Sequence, residues 1–388
     1  MNTAQLSTSP VSQETRIAAD SAFLLDHFSR TIFKSLRRVD QRKWAHAYLH
    51  GLLVTSGRKS VRRLAASISP DPSVPQSLRQ FVSLSPWDFD AVMEELTRWV
   101  GDCRPDPVWS IGRAVLPKRG DRSVGVHQHF DLSSGRTLNC QLGLGSFLCV
   151  GGTQVPVDWC LHLTTAWTRD SARRSAVRIP DSEQYQPLWA HALRLVDRLS
   201  ARTDSTSSVV LADMSNEPDV GHLLHGLAKR RRDFVVAVPP NLSVVPVGEG
   251  TLAPVSAKTV LLAQRPEPGI ASPAEGQQLI THRQTSLVHL PGHYRERSLS
   301  PVHRLFTEMG PAGTPGPLWL TSLTRHTLAE VGSIAALHTG TTDVIRTMQQ
   351  GLGLLDYEGR SYPGWYHHMA LASAAYTFRS LHGAAVGS

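Results

Sequence analysis

Apolar residues recur at helical spacing up to about residue 100, gather into short β-rich runs from about 107, and return to helical spacing near residue 328. That change of period predicts an all-α unit followed by an α/β core. In the first unit Leu49, Leu52 and Leu53 supply one apolar face, while Arg58, Lys59, Arg62 and Arg63 decorate the next helix beside Val61 and Leu64. Ser85-Pro86-Trp87-Asp88 reads as an N-cap with Pro at the first helical position, opening a helix that carries Val92, Leu96 and Val100. The β-rich runs are Val124 to Phe130, Leu138 to Val150, Val209 to Ala212 and Phe234 to Val238, and Pro187 to Leu199 has helical spacing between them.

Residues 240–315 are rich in proline and glycine, with weak strands such as Thr259 to Ala263, and read as an insertion or flap. Leu328 to Leu337 and Val344 to Leu381 read as helix. The predicted organisation is a disordered leader at 1–20 and a helical DNA-binding-type domain at 21–105. The core's first part spans 106–239, the insertion 240–315 and the core's C-terminal helices 316–388.

At 388 residues and 41% hydrophobic content the chain can bury a sizeable core. Forty Lys plus Arg against 32 Asp plus Glu leave a formal charge of +8, a bias toward polyanionic partners. Cys103, Cys140, Cys149 and Cys160 show no zinc-finger or disulfide spacing, which fits free thiols in a reducing cytoplasm. No signal-like start or membrane-length apolar run is evident, so a cytoplasmic protein with no membrane partner is expected.

The stretch from Asp40 to Trp87 (DQRKWAHAYLHGLL, GRKSVRRLA, QSLRQFVSLSPW), then Leu116-Pro117-Lys118-Arg119-Gly120, Ser123 to Val126, Asn139-Cys140-Gln141 and Pro156-Val157-Asp158-Trp159 form an ordered series of landmarks. Leu211-Ala212-Asp213, Tyr357-Glu358-Gly359-Arg360-Ser361 and Gly364-Trp365-Tyr366 complete it. Together they resemble a group of bacterial insertion-sequence transposases of the DDE superfamily endonuclease type, over roughly residues 30–380. The resemblance implies an RNase H-like α/β catalytic core with an N-terminal all-α domain and an insertion before the last core helices.

It also implies a chemistry that needs three carboxylates, because two divalent metals about 3.5 to 4 Å apart drive the in-line phosphoryl transfer. The family's first aspartate lies in a strand reading Trp-Val-Ile-Asp-Asp-Thr-Gly, where this chain has Trp109, Ser110, Ile111, Gly112, Arg113, Ala114 and Val115. The second matches Asp213. The family's glutamate falls on Thr342; the neighbouring Asp343 points about 100° around the helix and is a poor substitute. Gly112 and Thr342 therefore mark lost carboxylates, and a Mg or Mn dimetal site is not expected. Arg113 would place a cation where a metal should sit, if it points into that pocket.

Asp213 also fits a plain role as a hydrogen-bonding group at a strand end. Residues 31–64 contain nine Lys or Arg against the single acid Asp40, a bias that favours DNA. The cations singled out as DNA contacts are Arg58, Lys59, Arg62, Arg63, Lys118, Arg119 and the run Lys229-Arg230-Arg231-Arg232, although that run also fits a solvated helix C-terminus. His127 and His129 sit two apart on a predicted strand and share a face, so with Arg113 they are candidates for a repurposed site. His222 and His225 lie three apart on a predicted helix, and His368 falls where the family has histidine.

Three readings follow. The leading one is a transposase-derived protein that binds DNA in a regulatory or architectural role without acting as a nuclease. The second is an exapted enzyme acting on a small-molecule substrate in the former cleft, and the third an inactive remnant. A homodimer stays open in each.

Overall fold

The structure, a computed structural model, describes residues 10–103, 107–131, 135–203, 207–248, 253–265, 267–270, 280–291, 301–310 and 314–382. Five helices come first: α1 Pro10–Ile32, α2 Val39–Val54, α3 Val61–Ile68, α4 Val74–Ser83 and α5 Phe89–Asp102. Helix α1 thus takes in much of the segment expected as a disordered leader, whose first nine residues lie outside the described ones. Asp88, not Ser85, caps α5, its carboxylate accepting from the Asp90 N–H at 2.9 Å. Val92, Leu96 and Val100 are buried along α5 as their spacing predicts.

The core follows: β1 Val108–Pro117, β2 His127–Asp131, β3 Arg136–Val150, β4 Thr153–Leu161, α6 Thr165–Thr168, α7 Ser171–Val177, α8 Leu188–Arg202, β5 Val209–Asp213, α9 Val220–Lys229 and β6 Phe234–Val238. Strand β3 is antiparallel to both β1 and β4, and β5 and β6 continue parallel to β1. The spatial order is therefore β4-β3-β1-β5-β6, with α8 and α9 as the crossover helices. This is the RNase H-like α/β core. Every residue of β6 is buried, as a strand covered on both faces requires. Residues 124–126, expected as strand, form the turn into β2, with Gly125 at a φ of 75° that suits glycine.

Next come β7 Ser243–Pro246, β8 Val255–Ser256, α10 Ala257–Leu262, β9 Glu267–Ile270, β10 Ile280–His289, β11 Val302–Met309 and β12 Leu318–Thr321. The stretch expected as a weak strand at Thr259 is helical, because the Ser256 hydroxyl caps α10 by accepting from the Thr259 N–H at 3.1 Å. Strand β12 pairs antiparallel with β6, β11 with β12, and β10 with β11, so this segment prolongs the main sheet. Two helices close the fold, α11 Leu328–Gly351 and α12 Tyr362–His382.

Alternation along the strands sorts the core into two faces. Trp109, Ile111, Val210, Ala212, Phe234 and Val236 pack with α8 and α9. Val108, Leu211, Val235 and Ala237 pack with Val331 and Ala335 of α11 on the opposite side. Asp213 and Gly112, the positions expected for the family's two aspartates, are placed by that sorting.

Candidate active site

Asp213 ends β5 two residues after Leu211 and so shares its face, toward α11. Its Oδ1 accepts from the Ser215 N–H at 2.9 Å, and its Oδ2 lies 3.4 Å from His338 Nε2 on α11. Burial holds the His338 imidazole below its ordinary pKa, partly offset by the Asp213 carboxylate. Thr342, one turn further on, is exposed and donates its hydroxyl to the His338 carbonyl at 3.3 Å. The position expected for the family's glutamate is thus one turn from His338, the neighbour of Asp213, and carries a neutral group. Asp343 turns away and pairs with Arg346 at 2.5 Å.

Gly112 lies on the same face of β1. A Cβ there would stand 2.6 Å from Thr341 Cγ2, 2.9 Å from Ile345 Cδ1 and 3.1 Å from Phe147 Cε2, all closer than ordinary van der Waals contact. Helix α11 has closed onto the strand where a side chain would be. Beside it runs a buried neutral chain: Thr341 Oγ1 donates to Gln154 Oε1 at 2.5 Å, so the Ser110 hydroxyl, 2.5 Å away, donates to Thr341. Gln154 Nε2 then donates to the Leu337 carbonyl at 2.6 Å, tying β4 to α11. An aspartate at 112 does not fit this packing, and the residues here do not fit a two-metal cluster. Among the described residues no group of three His, Cys, Asp or Glu is placed to hold a metal ion.

Arg113, His127 and His129 share one face of the sheet, and Arg113 lines a small cavity with Asp213 and Glu217. Arg113 follows Gly112 and therefore points to the opposite face, where its Nη1 pairs with Glu217 Oε1 at 2.9 Å. His129 faces Leu138 and His127 faces Cys140 across the β2–β3 ladder, and alternation along β3 puts both on the face of Leu144, the partner of Arg113. The imidazoles continue into a row, with His127 5.6 Å from His162 and His162 5.7 Å from His191, between ring centres. Burial lowers His162 to about 4 and His191 to about 3. The cavity that Arg113 and Asp213 share is also lined by Ile111, Gly112, Leu144, Leu188, Met214 and Glu217, and the His129 pKa is lowered by burial first and then by the Arg113 charge.

The proposed phosphate contacts divide sharply. Lys59 is 4% exposed, with its ammonium on the Thr55 carbonyl and its N–H bonded to Asp356 Oδ2 at 2.8 Å. Lys118 donates to the carbonyls of Leu355 and Tyr357, and burial lowers its pKa to about 8. These two lysines bind the C-terminal segment to the rest of the protein and are not available to phosphate. Arg58 pairs with Glu358 at 3.2 Å, Arg63 donates to the Ser56 carbonyl at 3.0 Å, and Arg230 forks onto Asp197 at 2.6 and 2.7 Å. Arg232 lies over the Trp109 ring at 4.7 Å. Arg62, Arg119, Lys229 and Arg231 are exposed.

His222, His225, His367 and His368 stack or bond within the protein. His222 stacks on Trp189 at 5.0 Å, and His225 bonds the Gly221 carbonyl. His367 lies between the carbonyls of Val82 and Trp87, and His368 between Tyr48 and the Gly353 carbonyl. His338 carries no motif of its own. Its signal is positional: it lies four residues before Thr342 on one helix face, hence over the same cleft.

The sequence model of the DDE superfamily endonucleases matches residues 31–284, well over half of the chain. The chain belongs to that family. No curated protein matches it. Among solved structures, this endonuclease-family chain is similar to a piggyBac transposase in a synaptic complex with hairpin DNA. The identity is 11%, over 93% of this chain and 71% of that one, with a TM-score of 0.46. Among the described residues no helix is long and apolar enough to cross a membrane.

Proposed function

We propose that this member of the DDE superfamily binds DNA through its N-terminal helical unit and does not cut it. The observation that carries the reading is the contact between Thr341 and Gly112, which occupies the place a metal-binding carboxylate would need. A two-metal clamp requires carboxylates to offset two dications, and Asp213 here is joined by an imidazole and a hydroxyl instead. The excess of cations over acids in residues 31–64 supports the binding half of the proposal. A protein of this kind acts by occupying DNA, as a regulator or architectural factor.

Duplex retardation by the full-length protein tests it. The expected result is binding at about 50 mM salt whose logarithm falls linearly with the logarithm of salt, as counterion release requires. Absence of binding at that salt overturns the proposal.

A further inference from the structure

With Lys59 buried and Lys118 turned onto the Leu355 and Tyr357 carbonyls, two of the cations first suspected of holding DNA are taken up inside the protein, and the surface carries a further set. An open groove of about 580 Å³ runs between α1 and α2. Arg30 and Lys34 line it from the α1 side, and Arg42, Lys43 and His46 from α2, against the carboxylate of Asp26. Lys34 is paired with Glu95 at 2.8 Å, and burial lowers the pKa of His46, so Arg30, Arg42 and Lys43 carry the groove's charge.

The α2 residues recur at helical spacing, so they form one face with a basic or protonatable group on each turn. Arg42 is held in place, its Nη1 donating to the Leu36 carbonyl at 2.6 Å, which anchors its charge at the start of the groove. Arg30 pairs with Asp26 at 2.9 Å, but its side chain is 79% exposed and that pair exchanges readily for a stronger anion. Lys43 is exposed, 5.2 Å over the Trp44 ring, and its charge acts on Asp71 without an ion pair among the described residues.

We propose that this α1–α2 groove is the seat of a duplex DNA backbone, an inference that rests on the DNA-binding reading and names its surface. Charge complementarity selects the occupant, since a cationic groove lined on two sides matches a ridge of phosphates better than any neutral surface. The contacts reach phosphate oxygens and carry no base readout, so binding through the groove is indifferent to sequence.

The test compares two double charge reversals in the full-length protein, Arg30→Glu with Lys43→Glu in the groove, and Arg62→Glu with Arg119→Glu outside it. Both change the net charge equally, so long-range electrostatics cancel in the comparison. Affinity for a labelled duplex of mixed sequence should fall by about tenfold or more in the groove variant, with a salt slope shallower by about two, and clearly less in the other. Equal losses in the two variants, or a larger loss in the second, overturn the groove while leaving DNA binding standing. No binding by the unaltered protein overturns DNA binding itself. Equally strong binding of polyglutamate would make the occupant an acidic polypeptide and overturn the assignment. Should the reversal disturb folding, Arg30→Ala with Lys43→Ala replaces it and is read by the same slope.

Discussion

Thr341 Cγ2 stands 2.6 Å from where a Cβ on Gly112 would lie, so the glycine on β1 and the threonine on α11 are fitted to one another. Enlarging either residue separates the helix from the sheet. Gly112→Asp should therefore lower stability by about 3 kcal/mol or more, combining overpacking with a buried carboxylate. Denaturant unfolding measures it. Adding Thr341→Ala should recover part of the loss, whereas a fully additive double variant would show that the two residues do not share this space.

The buried chain Ser110–Thr341–Gln154 makes a second prediction. Thr341→Val keeps the shape of the side chain but leaves Ser110 and Gln154 without their partner, at a cost of about 1 to 3 kcal/mol. Equilibrium unfolding that shows no change would mean the hydroxyl contributes nothing to holding α11.

Acid should weaken the fold before the carboxylates titrate. His162, His303, His367 and His368 are pushed down to about 4 and His191 to about 3 by burial, so each is neutral when folded. Unfolded imidazoles take up protons near pH 6.5, and the unfolded state then binds more protons than the folded one. Stability should be level above about pH 7 and fall progressively from about 6.5 toward 4. His191 is 3% exposed and neither ring nitrogen has a hydrogen-bond partner among the described residues, so His191→Leu should flatten that fall while costing little at neutral pH. A pH profile of the melting temperature unchanged by the substitution would contradict this.

Lys59 and Arg62 should separate structure from surface. Lys59→Met removes a buried ammonium from the Thr55 carbonyl beside Gly353 and should lower the melting temperature by several degrees. Arg62→Ala, at an exposed position, should leave it unchanged. Thermal unfolding of both variants, measured side by side, would reject the division if they behaved alike.

Much of the core could be read in advance because its strands are short apolar runs with local boundaries. Strand β6 runs over Phe234–Val238 as expected, and β3, β5 and α8 differ from expectation mainly at their ends. The last helices divide elsewhere, α11 running unbroken to Gly351 and residues 352–361, expected as helix, forming the connection to α12. Helix α10 was hidden by its β-branched Thr259 and Val260, whose propensity gave way to the Ser256 cap. The faces of the site were not legible. Arg113, Asp213 and Glu217 come to one cavity only once β1 and β5 are in register, and Gly112 meets Thr341 across 229 positions of chain, a contact no local pattern encodes. Lys59 and Lys118 looked like surface cations because charge in a sequence does not reveal burial. Their partners at 355–357 lie far along the chain.

The account stands or falls on whether DNA is bound and left intact in one sample. Supercoiled plasmid incubated with the full-length protein and Mg²⁺ or Mn²⁺, with duplex retardation followed in parallel, should show retardation while the plasmid stays supercoiled. Metal-dependent nicked or linear product that disappears in Asp213→Ala would contradict it.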